Sequence, residues 1–328
     1  MALNDFFGVV TSLGLPCIQE VTPLPKLAVM TPDSPFAALL AAIPVEKREI
    51  TVLGSLTRYW VYGDPDAAIT VLIAHGYRGE HHGLEPVVAQ LPSIRWISPD
   101  LPGFGESTPL VDVPHTIPGY AQWLIAFSEA LGLNGTAVAL GHSFGTIISS
   151  QAMMMGLKTP KLILVNPIAI SGLEGPMVTE TKLTVLFYRV AQKLPERIGT
   201  WLLRNWLIVR FMSIKLAKTD DKALRRWIHS QHHTYFNSFA TRDVVVEAFE
   251  ASISFNVGDF AAQIDVPTLL VAAELDDITP IAAQYDLEKT FPNARLTVLK
   301  NVGHLIHYEV PELAADAIRA FLEEPDPS

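Results

Sequence analysis

Residues 136–148 read Thr-Ala-Val-Ala-Leu-Gly-His-Ser-Phe-Gly-Thr-Ile-Ile. The stretch is a short apolar strand, then Gly141-His142-Ser143-Phe144-Gly145, then the start of an apolar helix. A strand that enters a helix through G-x-S-x-G must turn sharply. Glycines at 141 and 145 remove the Cβ atoms that would collide in such a turn. The turn holds Ser143 above the edge of a sheet, and the helix behind it aims backbone N–H groups at negative charge forming there.

The chain around this stretch alternates strands and helices. Strands are predicted over 49–53 and 58–62, joined by a turn at Gly54-Ser55, and then over 69–74, 95–98 and 161–165. Helices are predicted over 84–90 and 117–131, with Gly132 as the stop, and from the 141–145 turn to about residue 155. The alternation ceases after Asn166. Residues 168–262 read as helical throughout, and strands then return over 268–273 and 295–299, with helices over 282–290 and 312–323. This pattern predicts a mostly parallel sheet covered by helices on both faces, interrupted by a helical insertion. The boundaries are a lead-in at 1–45, a core at 46–167 and 263–328, and the insertion at 168–262. The lead-in is apolar and proline-rich; it suggests a short helix over 6–13 and then an extended stretch on the core, with Phe6, Phe7 and Leu13 packing inward.

The composition of the 328 residues is globular, 49% hydrophobic and 18% charged. The single cysteine, Cys17, excludes an intramolecular disulfide and fits a reducing compartment. The N-terminal residues carry no basic n-region, and no 18-residue uncharged apolar run is present, so a cytoplasmic protein without a transmembrane helix is expected. A net charge of −10 argues against nucleic acid as a partner. The charge is uneven: residues 168–262 hold 12 Lys+Arg against 9 Asp+Glu, and the rest holds 12 against 25.

A serine hydroxyl is a poor nucleophile at neutral pH unless a base takes its proton, and the base needs a carboxylate to orient it. Both groups belong on later loops at strand ends. The loop after 268–273 contains Glu274, Asp276, Asp277 and Pro280, and the loop after 295–299 contains Gly303-His304. The order along the chain is Ser, Asp, His.

Five motifs stand in sequence: His75-Gly76, Asp100-x-x-Gly103-x-Gly105-x-Ser107, Gly141-His142-Ser143-Phe144-Gly145, Asp276 four residues before Pro280, and Gly303-His304 with Glu309 and Pro311 downstream. On these motifs the sequence resembles the α/β-hydrolase family over about 49–166 and 263–324. The resemblance implies an eight-stranded, mostly parallel α/β sheet with residues 168–262 as a helical cap after the sixth strand. It implies Ser143 as nucleophile, His304 as general base and then acid, and Asp276 as the orienting carboxylate. The oxyanion hole would be the backbone N–H groups of Phe144 and Tyr77. No cofactor and no metal is implied.

Asp277 is the adjacent alternative to Asp276, and the four-residue gap to Pro280 favours Asp276. The position after the sixth strand, Asn166-Pro167, carries no charge, which leaves the acid on the loop after the seventh. His75 reads as a loop brace, His142 as a residue that orients the 141–145 turn, and Asp100 and Ser107 as turn-formers. His81-His82, and His229 with His232-His233, lack a Cys/Asp/Glu set at ligand spacing and are read as solvated or cavity-lining, with His232 or His233 as the pair that would line the pocket from the cap side.

The insertion carries Trp201, Trp206 and Trp227, three of the six tryptophans, and many phenylalanines. Most must form its own core, and a remainder facing Ser143 would line an apolar pocket. Over 201–218, Arg204, Lys215 and Lys218 fall near one helical face. A buried helix with one solvated stripe is the reading taken, and a membrane-surface helix is the alternative. The function expected is hydrolysis of small to medium apolar carboxylic esters through an acyl-enzyme. The partner is then a small-molecule ester, with no nucleic acid, and the assembly a monomer or homodimer. C–C or amide hydrolysis on the same fold, and a non-catalytic ligand receptor, are the competing classes. A carboxylate-nucleophile enzyme is excluded by Ser143.

Overall fold

The computed structural model describes residues 34–174 and 178–324. The helix expected over 6–13 lies outside them. From residue 34 the chain forms a short helix α1 (Ala37–Ala41) rather than the extended stretch expected, because Leu40 and Ile43 bury against the core.

Eight strands form one sheet: β1 (Val45–Val52), β2 (Ser55–Tyr62), β3 (Thr70–Ala74), β4 (Arg95–Pro99), β5 (Val138–His142), β6 (Leu162–Val165), β7 (Thr268–Ala273) and β8 (Ala294–Leu299). Their order is β1-β2-β4-β3-β5-β6-β7-β8. The β1–β2 and β2–β4 pairs are antiparallel and the remaining pairs are parallel. β5, β6 and β7 are buried at every position, as strands covered on both faces must be. Alternation sorts their side chains between two cores: Leu72 and Ala74 of β3 pack on one side, Val71 and Ile73 on the other.

The first side is covered by α3 (Ile117–Ala130) and α4 (Phe144–Met154), through Trp123, Phe127, Ile147 and Ile148. The second is covered by α2 (Glu85–Val88), which follows a 3₁₀ turn at His81–Leu84, and by α13 (Pro311–Glu323) through Ile318 and Phe321. Thr116 caps α3 by accepting the N–H of Gly119, and Pro118 sits in its first turn. The β1–β2 hairpin turns one residue earlier than expected, at Leu53-Gly54, with φ of +46° and +73°. Ser55 cannot serve as the turn because it pairs with Val52, and its buried hydroxyl donates to the carbonyl of Thr108.

Between β6 and β7 run α5 (Val178–Lys193), α6 (Glu196–Leu203), α7 (Trp206–Leu216), α8 (Lys222–Tyr235), α9 (Arg242–Ser254) and α10 (Gly258–Ala261). Asn205, Asp221 and Thr241 cap α7, α8 and α9 by accepting first-turn N–H groups. Beyond β7, α11 (Ile281–Thr290) precedes β8, and α12 (Ile306–Glu309) precedes α13. The inserted helices sit on the loops at the C-terminal ends of the strands. Ser238 accepts the N–H of Gly105, Ala240 donates to Gly103, and Lys218 reaches Asp277 and Glu309.

One expectation about the insertion fails. Residues 201–218 do not form a buried helix with one solvated stripe. In α7 only Val209 and Ser213 are buried, four residues apart, so a narrow seam meets α8. The large apolar side chains face outward instead: Trp201 is 65% exposed, Leu207 58% and Phe211 69%.

Candidate active site

The junction of β5 and α4 places Ser143 at φ +51°, ψ −114°, outside both strand and helix geometry. Its two glycines are required by distance. A Cβ on Gly145 would stand 1.9 Å from the carbonyl oxygen of Ala74, and one on Gly141 2.5 Å from that of Gly145. The turn is therefore wedged against the end of β3. Ser143 N–H donates to the carbonyl of Val165 at the end of β6, which ties the turn to the next strand.

Ser143, Asp276 and His304 come from three separate loops and meet. The Nε2 of His304 is 2.8 Å from Ser143 Oγ, and its Nδ1 is 2.7 Å from Asp276 Oδ2. Asp276 also accepts the N–H groups of Ile278 and Thr279, the Thr279 hydroxyl and the Asn166 side-chain amide. Burial alone pushes the Asp276 carboxyl up, but the adjoining His304 ring and these backbone N–H groups outweigh it and hold the group below the usual carboxylate range. Asp277 is elsewhere: its carboxylate pairs with Lys218 at 2.5 Å, partly in solvent.

Phe144 is the first residue of α4, so its N–H has no acceptor within the helix. Tyr77 lies in the loop after β3, and its neighbour Gly76 abuts Ser143: a Cβ there would be 3.5 Å from the serine Cβ. Neither the Phe144 nor the Tyr77 N–H donates to a protein acceptor among the described residues. The Tyr77 ring is taken up by packing. Its hydroxyl donates to the carbonyl of Val245 in α9, and Phe104, Phe144, Tyr188 and Phe249 surround it edge-on or tilted.

Arg78 was not singled out in the sequence, yet it is the main tie between this loop and the inserted helices. It is buried at φ +56°, and its guanidinium donates to the carbonyls of Phe236 and Leu203 and to the side chain of Asn237. Phe236 and Phe239 lie against its face at 4.8 and 5.2 Å. No spacing in the sequence marks it, because every partner, the Tyr188 hydroxyl included, is more than 100 residues away.

His75 sits under the loop. Its Nε2 accepts the N–H of Leu101, and its Nδ1 lies 2.8 Å from the Gly76 carbonyl. His142 is buried against Gly76, with its ring 4.3 Å from that of His307. Among the described residues neither His142 Nε2 nor His307 Nδ1 has a hydrogen-bond partner. Burial, and then the neighbouring imidazoles, lower His142 to about 3 and His307 well below the usual histidine range, so both are neutral. His307 was missed in the sequence; its place three residues after His304 was the available signal. His232 is buried and bonds Ser213, whereas His233 is exposed and lines an outer cavity with Trp206 and Arg210. The ring of His232 lies 5.8 Å from that of Tyr308.

The reading of His81-His82 as lacking an acid partner is overturned. Glu80 precedes them, and ligand atoms of all three fall within 4.8 Å of one another. Asp100, delivered by the loop after β4, takes His81 Nδ1 at 2.8 Å, and Glu80 takes His82 Nδ1. Burial acts against the His82 charge, but the Glu80 bond with Glu85 and Asp100 nearby raises it to about 9. Each ring is thereby engaged in an internal hydrogen-bond network that fastens the loop to β4. Ser107 completes the turn, donating to Asp100 and accepting from Arg58 N–H.

The chain is similar to known proteins along most of its length. The uncharacterized hydrolase YugF of Bacillus subtilis is 26% identical over 281 residues, covering 84% of this chain and 97% of the relative. The pimeloyl-[acyl-carrier protein] methyl ester esterase of Aeromonas hydrophila is 24% identical over 248 residues, 74% of this chain and 89% of the relative. A thermophilic esterase from Thermogutta terrifontis superposes with a TM-score of 0.67 at 23% identity, over 84% of this chain and 97% of that one. The model of the alpha/beta hydrolase family matches residues 71–317, from β3 to the last helix, and so spans the serine turn, the inserted helices and both later loops. By that match, and by the sheet order that accompanies it, the chain belongs to the alpha/beta hydrolase family.

Proposed function

We propose that this protein is a serine hydrolase that cleaves small to medium carboxylic esters with an apolar acyl or aryl part. The observation that carries the reading is one imidazole, His304, held between Ser143 Oγ and the Asp276 carboxylate. In this reading His304 Nε2 takes the proton of Ser143 as the oxygen attacks the ester carbonyl. The carbonyl oxygen becomes an oxyanion and receives the N–H groups of Phe144 and Tyr77. Each such donor typically contributes about 2.7–4 kcal/mol to lowering the barrier. The imidazolium, stabilised by Asp276, returns its proton to the departing alkoxide, which leaves as the alcohol. A water then gives its proton to His304 and attacks the acyl carbon; the C–Oγ bond breaks, His304 returns that proton to Ser143 Oγ, and the acid is released.

The inserted helices act in this reading as a cap. Arg78 and the Tyr77 ring bind them to the loop that carries one oxyanion donor, and Tyr188 and Phe249, stacked at 4.2 Å, make the inner wall apolar. Each CH₂ of an acyl chain buried there is worth about 0.8 kcal/mol, so affinity rises with chain length until the space is full. An esterase stands among the relatives, which accords with an ester substrate.

Labelling with a fluorophosphonate probe, followed by p-nitrophenyl butyrate, octanoate and palmitate, tests the proposal. Labelling of Ser143 with butyrate or octanoate preferred is expected. Labelling without hydrolysis of any ester moves the assignment to an amide or C–C bond, and absence of labelling removes the nucleophile.

A further inference from the structure

The outer surface of α5, α6 and α7 carries a concentration of apolar side chains that nothing in the ester reading uses. On α5, Leu183, Leu186 and Val190 are exposed at a spacing of three and four residues, which is one helical face. On α6, Ile198 and Trp201 repeat the pattern, and on α7 Leu207, Phe211 and Ile214 do so again. α5 packs on α6, and only Arg204 and Asn205 separate α6 from α7, so the three helices adjoin along the chain. Singly exposed apolar residues are ordinary, but a run of them on adjoining helices marks an interaction surface.

The charge around them selects the partner. Residues 178–216 hold seven Lys+Arg and two Asp+Glu, in a chain whose net charge is −10. Lys182, Arg189, Lys193, Arg197 and Arg210 are exposed and form no ion pair among the described residues. A two-fold contact between copies of this chain would set the same basic residues against one another. An anionic bilayer matches both properties: it accepts apolar side chains below the headgroups and attracts cations at its surface. Tryptophan side chains such as Trp201 and Trp206 favour that boundary. None of the described helices is long and apolar enough to cross a membrane, so the segment would lie in the plane of the interface.

We infer that α5, α6 and α7 form a docking surface for an anionic lipid bilayer, with Trp201, Leu207 and Phe211 inserted and the basic side chains on the headgroups. The surface binds whether or not the ester assignment holds, because binding is read without turnover.

Sedimentation of the full chain with phosphatidylcholine vesicles, with and without phosphatidylglycerol, tests this. Binding to the anionic vesicles, weakened by high salt, is expected. The triple variant Trp201→Ser, Leu207→Ser, Phe211→Ser should weaken it at least about tenfold. The triple variant Arg189→Glu, Lys193→Glu, Arg197→Glu should abolish the preference for anionic lipid. Circular dichroism and labelling of Ser143 should match the wild type in both, and the charge variant carries the test if the apolar one misfolds. No binding by the wild-type chain, or equal binding by folded variants, overturns the proposal. So does a dimer in sedimentation velocity that the apolar variant converts to a monomer without any vesicle binding, which would assign the surface to a second copy.

Discussion

Asp276 Oδ2 lies 2.7 Å from His304 Nδ1, and it is the only one of two adjacent aspartates that faces the imidazole; Asp277 pairs with Lys218 instead. This separates two substitutions that look alike in the sequence. Asp276→Asn should lower kcat by about 10⁴, because an amide cannot hold the ring in the tautomer that accepts the serine proton. Asp277→Asn removes a partly exposed ion pair and should leave kcat within a few-fold, with a stability change of about 0–1 kcal/mol. Steady-state kinetics of the two proteins decide, and the opposite ranking would assign the acid to Asp277.

Ser143→Ala should lower kcat by at least about 10³ and abolish fluorophosphonate labelling. The side chain is half-buried and, among the described residues, its hydroxyl bonds His304 alone, so the melting temperature should shift by no more than a few degrees. Residual activity within tenfold of wild type would remove Ser143 from the reaction.

Arg78→Leu should destabilise the protein by on the order of 3 kcal/mol, since the buried carbonyl of Leu203 and the partly buried carbonyl of Phe236 lose their donor. The loop that carries the Tyr77 N–H is released at the same time, so kcat should fall more than KM rises. Arg78→Lys keeps the charge but lacks the planar fork that reaches several acceptors, and should fall between the two. Urea unfolding together with kinetics below the transition checks this; wild-type stability in Arg78→Leu would contradict it.

Stability should fall as pH drops from neutrality. Burial lowers His232 to about 4 and His142 to about 3, and lowers His75, His81 and His307 as well. These rings are neutral in the folded chain and protonate near 6.5 when unfolded, so the stability they contribute is present above about pH 6.5 and lost as pH falls toward their folded values. Asp100, raised by burial to about 6, and Glu85, raised to about 7, act in the opposite sense across pH 4–7, as does His82, which is raised to about 9 and so stays protonated in the folded chain while the unfolded ring titrates near 6.5. The imidazoles outnumber them, and each net proton taken up on unfolding gives a slope of about 1.4 kcal/mol per pH unit. Unfolding free energies measured at several values between pH 7 and 5 should therefore decline, and His307→Phe should flatten the decline. A rise on acidification would show that the buried carboxyls dominate.

What could be read from the sequence was what depends on neighbours along the chain. The glycines at 141 and 145 and the apolar runs at β5, β6 and β7 carry their own local geometry, so the serine turn and the parallel sheet were legible there. The order of Ser143, Asp276 and His304 followed from the same logic, since parallel strands bring their C-terminal loops to one edge. Three features depended instead on contacts between distant parts of the chain. Arg78 gains its place only when α8 and the end of α6 supply carbonyls to it. Glu80, His81 and Asp100 become one network only when β4 lies beside β3. The orientation of α7 could not be taken from periodicity, because its apolar residues surround the helix. Packing against α8 through Val209 and Ser213 alone selected the buried side, and left Leu207, Phe211 and Ile214 at the surface.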